Sequence, residues 1–162
     1  MNVEFSGITM KIIDVLRKES IIVDLKATDK KGVLEELVTP VSKIANVNPE
    51  EMVRVLLDRE RLGSTGIGNG IGIPHGKLKG LENLVLGFGI SRKGVDFESM
   101  DNRPTYLFFL LITPENSTGP HLKLLARISK ILKSVPFKEQ LMNASDQDEI
   151  FEIIKEADDT TE

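Results

Sequence analysis

Residues 64–77 read STGIGNGIGIPHGK, a run of glycines that ends in a lone Pro74-His75 pair, with a further glycine at position 63. Each glycine surrenders more backbone entropy on ordering than another residue would. Such a cluster therefore points to positive φ angles, to close approach of the main chain to a ligand, or to a tight surface loop. The histidine is the group with chemistry to offer. Proline before it fixes the local backbone, and glycine after it leaves one edge of the ring open to approach. A good fraction of imidazole is neutral and nucleophilic at pH 7, and the phosphoramidate it forms retains enough transfer potential to pass the group on. The plainer alternative is a structural histidine with its hydrogen bonds satisfied.

Other chemistries fit this segment poorly. A dinucleotide fingerprint needs a strand before its glycines, and here the charged run Asp58-Arg59-Glu60-Arg61 precedes them. A nucleotide P-loop needs Ser or Thr after its lysine, whereas Lys77 is followed by Leu78. There is no Gly-x-Ser-x-Gly elbow, and two distant histidines without a cysteine argue against a metal site, so no metal and no cofactor are expected. The net charge of -4 is spread along the chain and gives nucleic acid no basic footprint. That same charge would suit a basic donor protein. The longest apolar run, residues 106–112, is too short to span a bilayer, and the N-terminus has no targeting pattern. No direct membrane insertion and a cytoplasmic location are expected.

The elements that would position His75 follow from periodicity. Thr9 is expected to cap a short helix carrying Ile12, Ile13 and Leu16, before a β-branched strand at Ile21-Ile22-Val23. Helical spacing of Val33, Leu34, Leu37, Val38, Val41 and Ile44 predicts a helix over 30–45, kinked or divided by Pro40. Asn48-Pro49-Glu50-Glu51 is a strong helix start, and that helix should end near Leu62-Gly63. Strands are expected at 84–91 and 105–113, the second buried on both faces. Helices are expected at 121–133, 136–143 and 145–155. This alternation predicts an α/β fold, a single sheet flanked by helices on both faces, in one domain over residues 1–157 with a disordered tail at 158–162.

Arg59-Glu60, then residues 63–70 (GSTGIGNG), then Ile73-Pro74-His75-Gly76-Lys77 together resemble the active-site signature of phosphotransferase-system IIA domains of the fructose/mannitol class. His121-Leu122-Lys123-Leu124-Leu125-Ala126-Arg127 is similar to that family's helix carrying a second active-site histidine. Gly72 departs from the alanine more often found there. The unbroken run from 63 to 77, with no fused transport segment, looks most like the nitrogen-regulatory branch.

The resemblance implies a mixed sheet and transfer of a phosphoryl group from the phosphohistidine of the carrier HPr to Nε2 of His75. It further implies that Arg59 stabilises the transferring group and that His121 acts as an orienting or electrostatic partner. Ser64 and Thr65 are then plausible hydroxyl donors, while Gly66, Gly68, Gly70 and Gly76 would let the backbone approach the phosphoryl group. Phosphorylated His75 would regulate downstream partner proteins. One alternative is a sugar-specific IIA component passing phosphate to a fructose- or mannitol-type transporter. Another, of a different class, is a non-catalytic module binding an anion or a protein.

Overall fold

A computed structural model describes residues 10–116 and 119–161. Thr9, the expected first cap, lies outside the described residues, as do Ser117, Thr118 and Glu162.

Three residues of 3-10 turn (Ile12–Asp14) lead into β1 (Leu16–Ile22), followed by α1 (Lys30–Ala45) and α2 (Pro49–Glu60). Next come β2 (Gly66–Gly68), β3 (Ile71–Gly72), β4 (His75–Leu78), β5 (Val85–Val95) and β6 (Thr105–Pro114). Helices α3 (Gly119–Ile131), α4 (Val135–Met142) and α5 (Gln147–Asp159) complete the fold. Among the described residues the strands form one mixed six-stranded sheet, in the order β1-β5-β6-β3-β2 with β4 also on β6.

The central strand β6 sets the two layers. Its residues alternate faces with period two. Leu107, Phe109 and Leu111 enter one buried cluster with Leu124 of α3, Leu141 of α4 and Ile150 of α5. Phe108, Leu110 and Ile112 enter the other, with Leu34 and Leu37 of α1 and Met52 and Leu56 of α2. Burial on both faces is why this strand reads as an unbroken apolar run.

Several elements start and stop as their chemistry dictates. Asn48 accepts the Glu50 N–H at 2.8 Å and the Glu51 N–H at 3.3 Å, which caps α2 as expected. Helix α2 closes at Glu60, short of the expected Leu62-Gly63, and tightens as the Leu62 N–H reaches the Arg59 carbonyl and that of Gly63 reaches Glu60. Pro40 does not divide α1, which runs through it as one element. The expected helix over Ile12, Ile13 and Leu16 shrinks to the 3-10 turn because Leu16 already belongs to β1, paired with Leu86.

The glycine-rich segment is mostly strand. β2 and β3 form an antiparallel hairpin whose turn residues Asn69 and Gly70 have φ of 58° and 80°, the positive pair that a two-residue type I′ connection requires. β3 and β4 then continue in one register along β6, with Ile71 opposite Leu107 and His75 opposite Leu111. Between them Pro74, which has no N–H to give, accepts the Leu111 N–H at 3.0 Å.

The C-terminal expectation needs correction. Rather than losing order at residue 158, α5 continues to Asp159, and Asp158 is 0% exposed. Its carboxylate accepts from the buried Arg127 guanidinium of α3 and, at 3.1 Å, from the Ile13 N–H. Arg127 also donates to the Asp158 and Thr161 carbonyls. A buried acid with these partners cannot be released to solvent without leaving a buried cation unpaired.

Candidate active site

β4 pairs with β6 along one edge, and a cleft of about 530 Å³ opens across it. α2 supplies Val55, Asp58, Arg59 and the following Leu62 from one side, and α3 supplies His121, Leu122 and Leu125 from the other. β4 contributes His75, Gly76 and Lys77, and β6 contributes Leu111 and Thr113. The alternation of β4 gives these contributions their directions. Gly76 faces α2, where a Cβ would come within 2.8 Å of Val55 Cγ1. His75 and Lys77 fall on the opposite face.

Glycine at 76 therefore lets α2 approach β4 and bring Arg59 beside His75. Gly76→Ala is expected to cost about 1–3 kcal/mol, because a β-branched valine on a helix has little rotamer freedom with which to yield. Urea unfolding measures this loss; an unchanged midpoint would remove the close packing as the reason for glycine here.

The His75 ring is oriented by its own backbone. Nδ1 lies 2.8 Å from the Ile73 carbonyl oxygen, which can only accept, so Nδ1 carries the proton. In the neutral ring Nε2 then holds the free lone pair.

Arg59 is anchored by Nη1 donating to the Gly63 carbonyl at 2.9 Å. Its neighbour Glu60 is buried and accepts from the Thr65 N–H at 3.1 Å, from the Thr65 hydroxyl, and from Lys30 Nζ at 3.0 Å. This carboxylate ties the end of α2 to the entrance of the hairpin and to the start of α1.

His121 is 9% exposed. Burial pushes its imidazole below the ordinary histidine pKa, and the nearby charges of Lys77 and His75 push it further in the same direction. Both effects favour the neutral ring over the charged one. A folded value below the unfolded one means that the unfolded chain binds the proton more readily. The contribution of His121 to stability is therefore complete above about pH 6.5 and is lost as pH falls through its folded value. An NMR titration of the His121 ring should give a midpoint below about 6.5; one at or above it would contradict the burial.

Of the residues singled out from the sequence, the structure brings His75, His121, Arg59 and Gly76 into one cleft. Ser64, Thr65, Gly66, Gly68 and Gly70 do not line it, and each has a place of its own in the surrounding structure. The Ser64 hydroxyl donates to the Phe97 carbonyl at 2.8 Å, and that of Thr65 donates to Glu60. A Cβ at Gly66 would meet Ser99 Cα at 3.0 Å, so glycine there serves close packing. Gly68 and Gly70, with φ of 100° and 80°, serve the hairpin. Lys77, Thr113, Leu62 and Leu122 line the cleft but were given no role from the sequence. Period-two spacing from His75 along a strand would have flagged Lys77.

The negative net charge does not extend into the cleft. Its charged groups are Arg59, Lys77 and Asp58, and Asp58 is ion-paired with Arg61. Among the described residues, no group of three or more His, Asp and Glu could hold a metal ion.

A family model described as "Phosphoenolpyruvate-dependent sugar phosphotransferase system, EIIA 2" matches residues 14–157. The chain belongs to this EIIA family. Among EIIA relatives, the nitrogen regulatory protein of Bradyrhizobium diazoefficiens is 39% identical over 90% of this chain and 95% of its own length. The fructose-specific EIIABC component of Bacillus subtilis is 37% identical over 92% of this chain, which spans only 24% of that protein. The crystal structure of the nitrogen regulatory protein IIA-Ntr from Neisseria meningitidis superposes with a TM-score of 0.83 at 32% identity, covering 87% of this chain and 97% of that one. Its likeness confirms the α/β class, a mixed sheet between helical layers, expected for an EIIA domain.

Proposed function

We propose that this EIIA-family chain is a phosphotransferase of the carrier type, in which Nε2 of His75 accepts a phosphoryl group from the phosphohistidine of an HPr-type donor. The Nε2 lone pair forms the new N–P bond as the donor's N–P bond breaks, and that bond's electron pair returns to the donor imidazole. The observation that carries the reading is the 2.8 Å contact of Nδ1 with the Ile73 carbonyl, which commits the proton to Nδ1 before any donor arrives. A preset tautomer and ring orientation spare the encounter a reorganisation.

Arg59 and His121 flank the acceptor within the cleft. The guanidinium stabilises charge on the non-bridging oxygens in transit. His121, whose burial favours the neutral ring before transfer, gains a reason to hold a proton once the dianionic group sits on His75. It acts as an electrostatic partner.

The phosphorylated form serves regulation of partner proteins. One observation favours this over sugar transport: the nitrogen regulatory relative is matched at 39% identity over 95% of its own length. The 37% identity to the EIIA part of a fructose-specific component supports delivery to a transporter as the second reading. The carrier works in the cytoplasm, where such donors are made.

The test is intact-protein mass after incubation with phosphoenolpyruvate, the general phosphotransferase enzyme and HPr. One acid-labile phosphoryl addition is expected. No addition from an active donor would return the chain to the class of non-catalytic anion- or protein-binding modules. Sugar phosphorylation upon adding the remaining fructose or mannitol transporter components would replace the regulatory reading with the transport one.

A further inference from the structure

Lys77 stands two residues from His75 on β4, so the two side chains share one face of the strand, and both line the cleft with Arg59 and His121. Its side chain is exposed, and its ammonium has no hydrogen-bond or ion-pair partner among the described residues. The carboxylate that lines the same cleft, Asp58, is bound to Arg61. The other cation there, Arg59, has already committed Nη1 to the Gly63 carbonyl. The charge of Lys77 also reaches inward, since after burial it is the next cause that depresses the basicity of His121. An ammonium with no partner among the described residues, beside a nucleophilic imidazole and in a cleft where the one carboxylate among the described lining residues is engaged, is a built place for an anion.

We propose that Lys77 is a catalytic residue of this site, its ammonium donating to a non-bridging oxygen of the phosphoryl group as that group reaches His75 and while it remains there. This rests on the phosphocarrier reading. Arg59 approaches from α2 and Lys77 from β4, so charge is met from two elements. A phosphoryl group carrying about -1.5 to -2 charges leaves room for both cations. Lysine serves here as a flexible point charge, able to follow the phosphorus as it moves from donor nitrogen to His75. The bonds made and broken are those already given; Lys77 keeps its proton throughout.

The experiment compares the native chain with Lys77→Met and Lys77→Arg in two assays. One titrates inorganic phosphate and follows the His75 ring by NMR. The other measures the rate of phosphorylation by phosphorylated HPr. Lys77→Met should weaken phosphate binding and slow transfer by roughly ten- to a hundredfold each, the scale of a hydrogen bond to a charged group, while Lys77→Arg restores most of both. Equal phosphate binding by the native and Lys77→Met chains overturns the proposal even if transfer slows, because the charge would then act only on donor docking. If the native chain takes no phosphoryl group, the carrier reading fails by itself, and the phosphate titration still decides whether Lys77 binds the anion.

Discussion

Replacing His75 with alanine is expected to reduce phosphoryl uptake to background, with no change in the fold. The Nε2 lone pair is the atom that forms the new bond, so its loss removes the reaction rather than a contribution to its rate. His121 does not substitute for it: its ring is almost fully buried in α3, while His75 is half-buried at the sheet edge. His121→Ala and Arg59→Ala should behave differently from His75→Ala. Each removes a donor or charge that matters most in the transition state, so each should slow uptake by about 10²–10³-fold while leaving the final stoichiometry at one. Quenched-flow labelling with the phosphorylated donor separates the classes. Full labelling of His75→Ala would overturn the mechanism, and complete loss of labelling in His121→Ala would move the acceptor to α3.

Breaking the Arg127–Asp158 pair should have the largest effect on stability of any single change outside the apolar core. Asp158 is fully buried, and its carboxylate holds both the guanidinium of α3 and the Ile13 N–H of the first turn. Asp158→Ala leaves a cation and a backbone donor stranded in a dry environment, at a cost of about 3–5 kcal/mol. Since domains of this size are stable by only about 5–15 kcal/mol, urea unfolding should show a large fall in midpoint. Adding Arg127→Met should recover part of the loss by removing the stranded charge. A loss below about 1 kcal/mol for Asp158→Ala would mean that water reaches the pair, as for an exposed ion pair. The effect should extend to activity, because α3 carries His121 and this pair ties α3 to α5.

Elements whose determinants are local were legible in the sequence. The period of Val33, Leu34, Leu37, Val38 and Val41 fixes α1 at the bounds expected, and Asn48 caps α2 as its position predicts. The apolar run of β6 announced a strand buried on both faces. Elements held by distant partners were not. β3 and β4 are too short and too glycine-rich to declare themselves, and they exist as strands because β6 pairs with them. The Asn69-Gly70 turn between β2 and β3 is the exception, a local hairpin signal passed over because every glycine there was weighed for phosphate binding. The end of α5 was misjudged for a reason of distance: Asp158 reads as one more acid in a polar tail until Arg127 is known to meet it.

Within the site, the pattern of residues singled out His75, Arg59 and His121, and the fold brings them together. The hydroxyls of Ser64 and Thr65 stand outside the cleft lining, one donating to the Phe97 carbonyl and the other to Glu60, partners too distant in kind from the glycine run to be read from it. The partner of the hydrogen bond that sets the His75 tautomer, the Ile73 carbonyl, could not be read from the sequence, since it depends on the turn the chain takes at Pro74.

The pairing of β4 with β6 has a consequence for the life of the chain on the ribosome. His75 leaves the exit tunnel well before Leu111, the residue opposite it in the sheet, and His121 and Asp158 follow later still. A half-made chain therefore exposes its imidazole without the strand that seats it, the helix that flanks it or the ion pair that anchors that helix. Closing such long loops is among the slower steps of folding. Competence to receive a phosphoryl group is thus withheld until the chain as far as Asp158 has emerged and packed, so a signal carried on His75 reports molecules in which these later segments are in place.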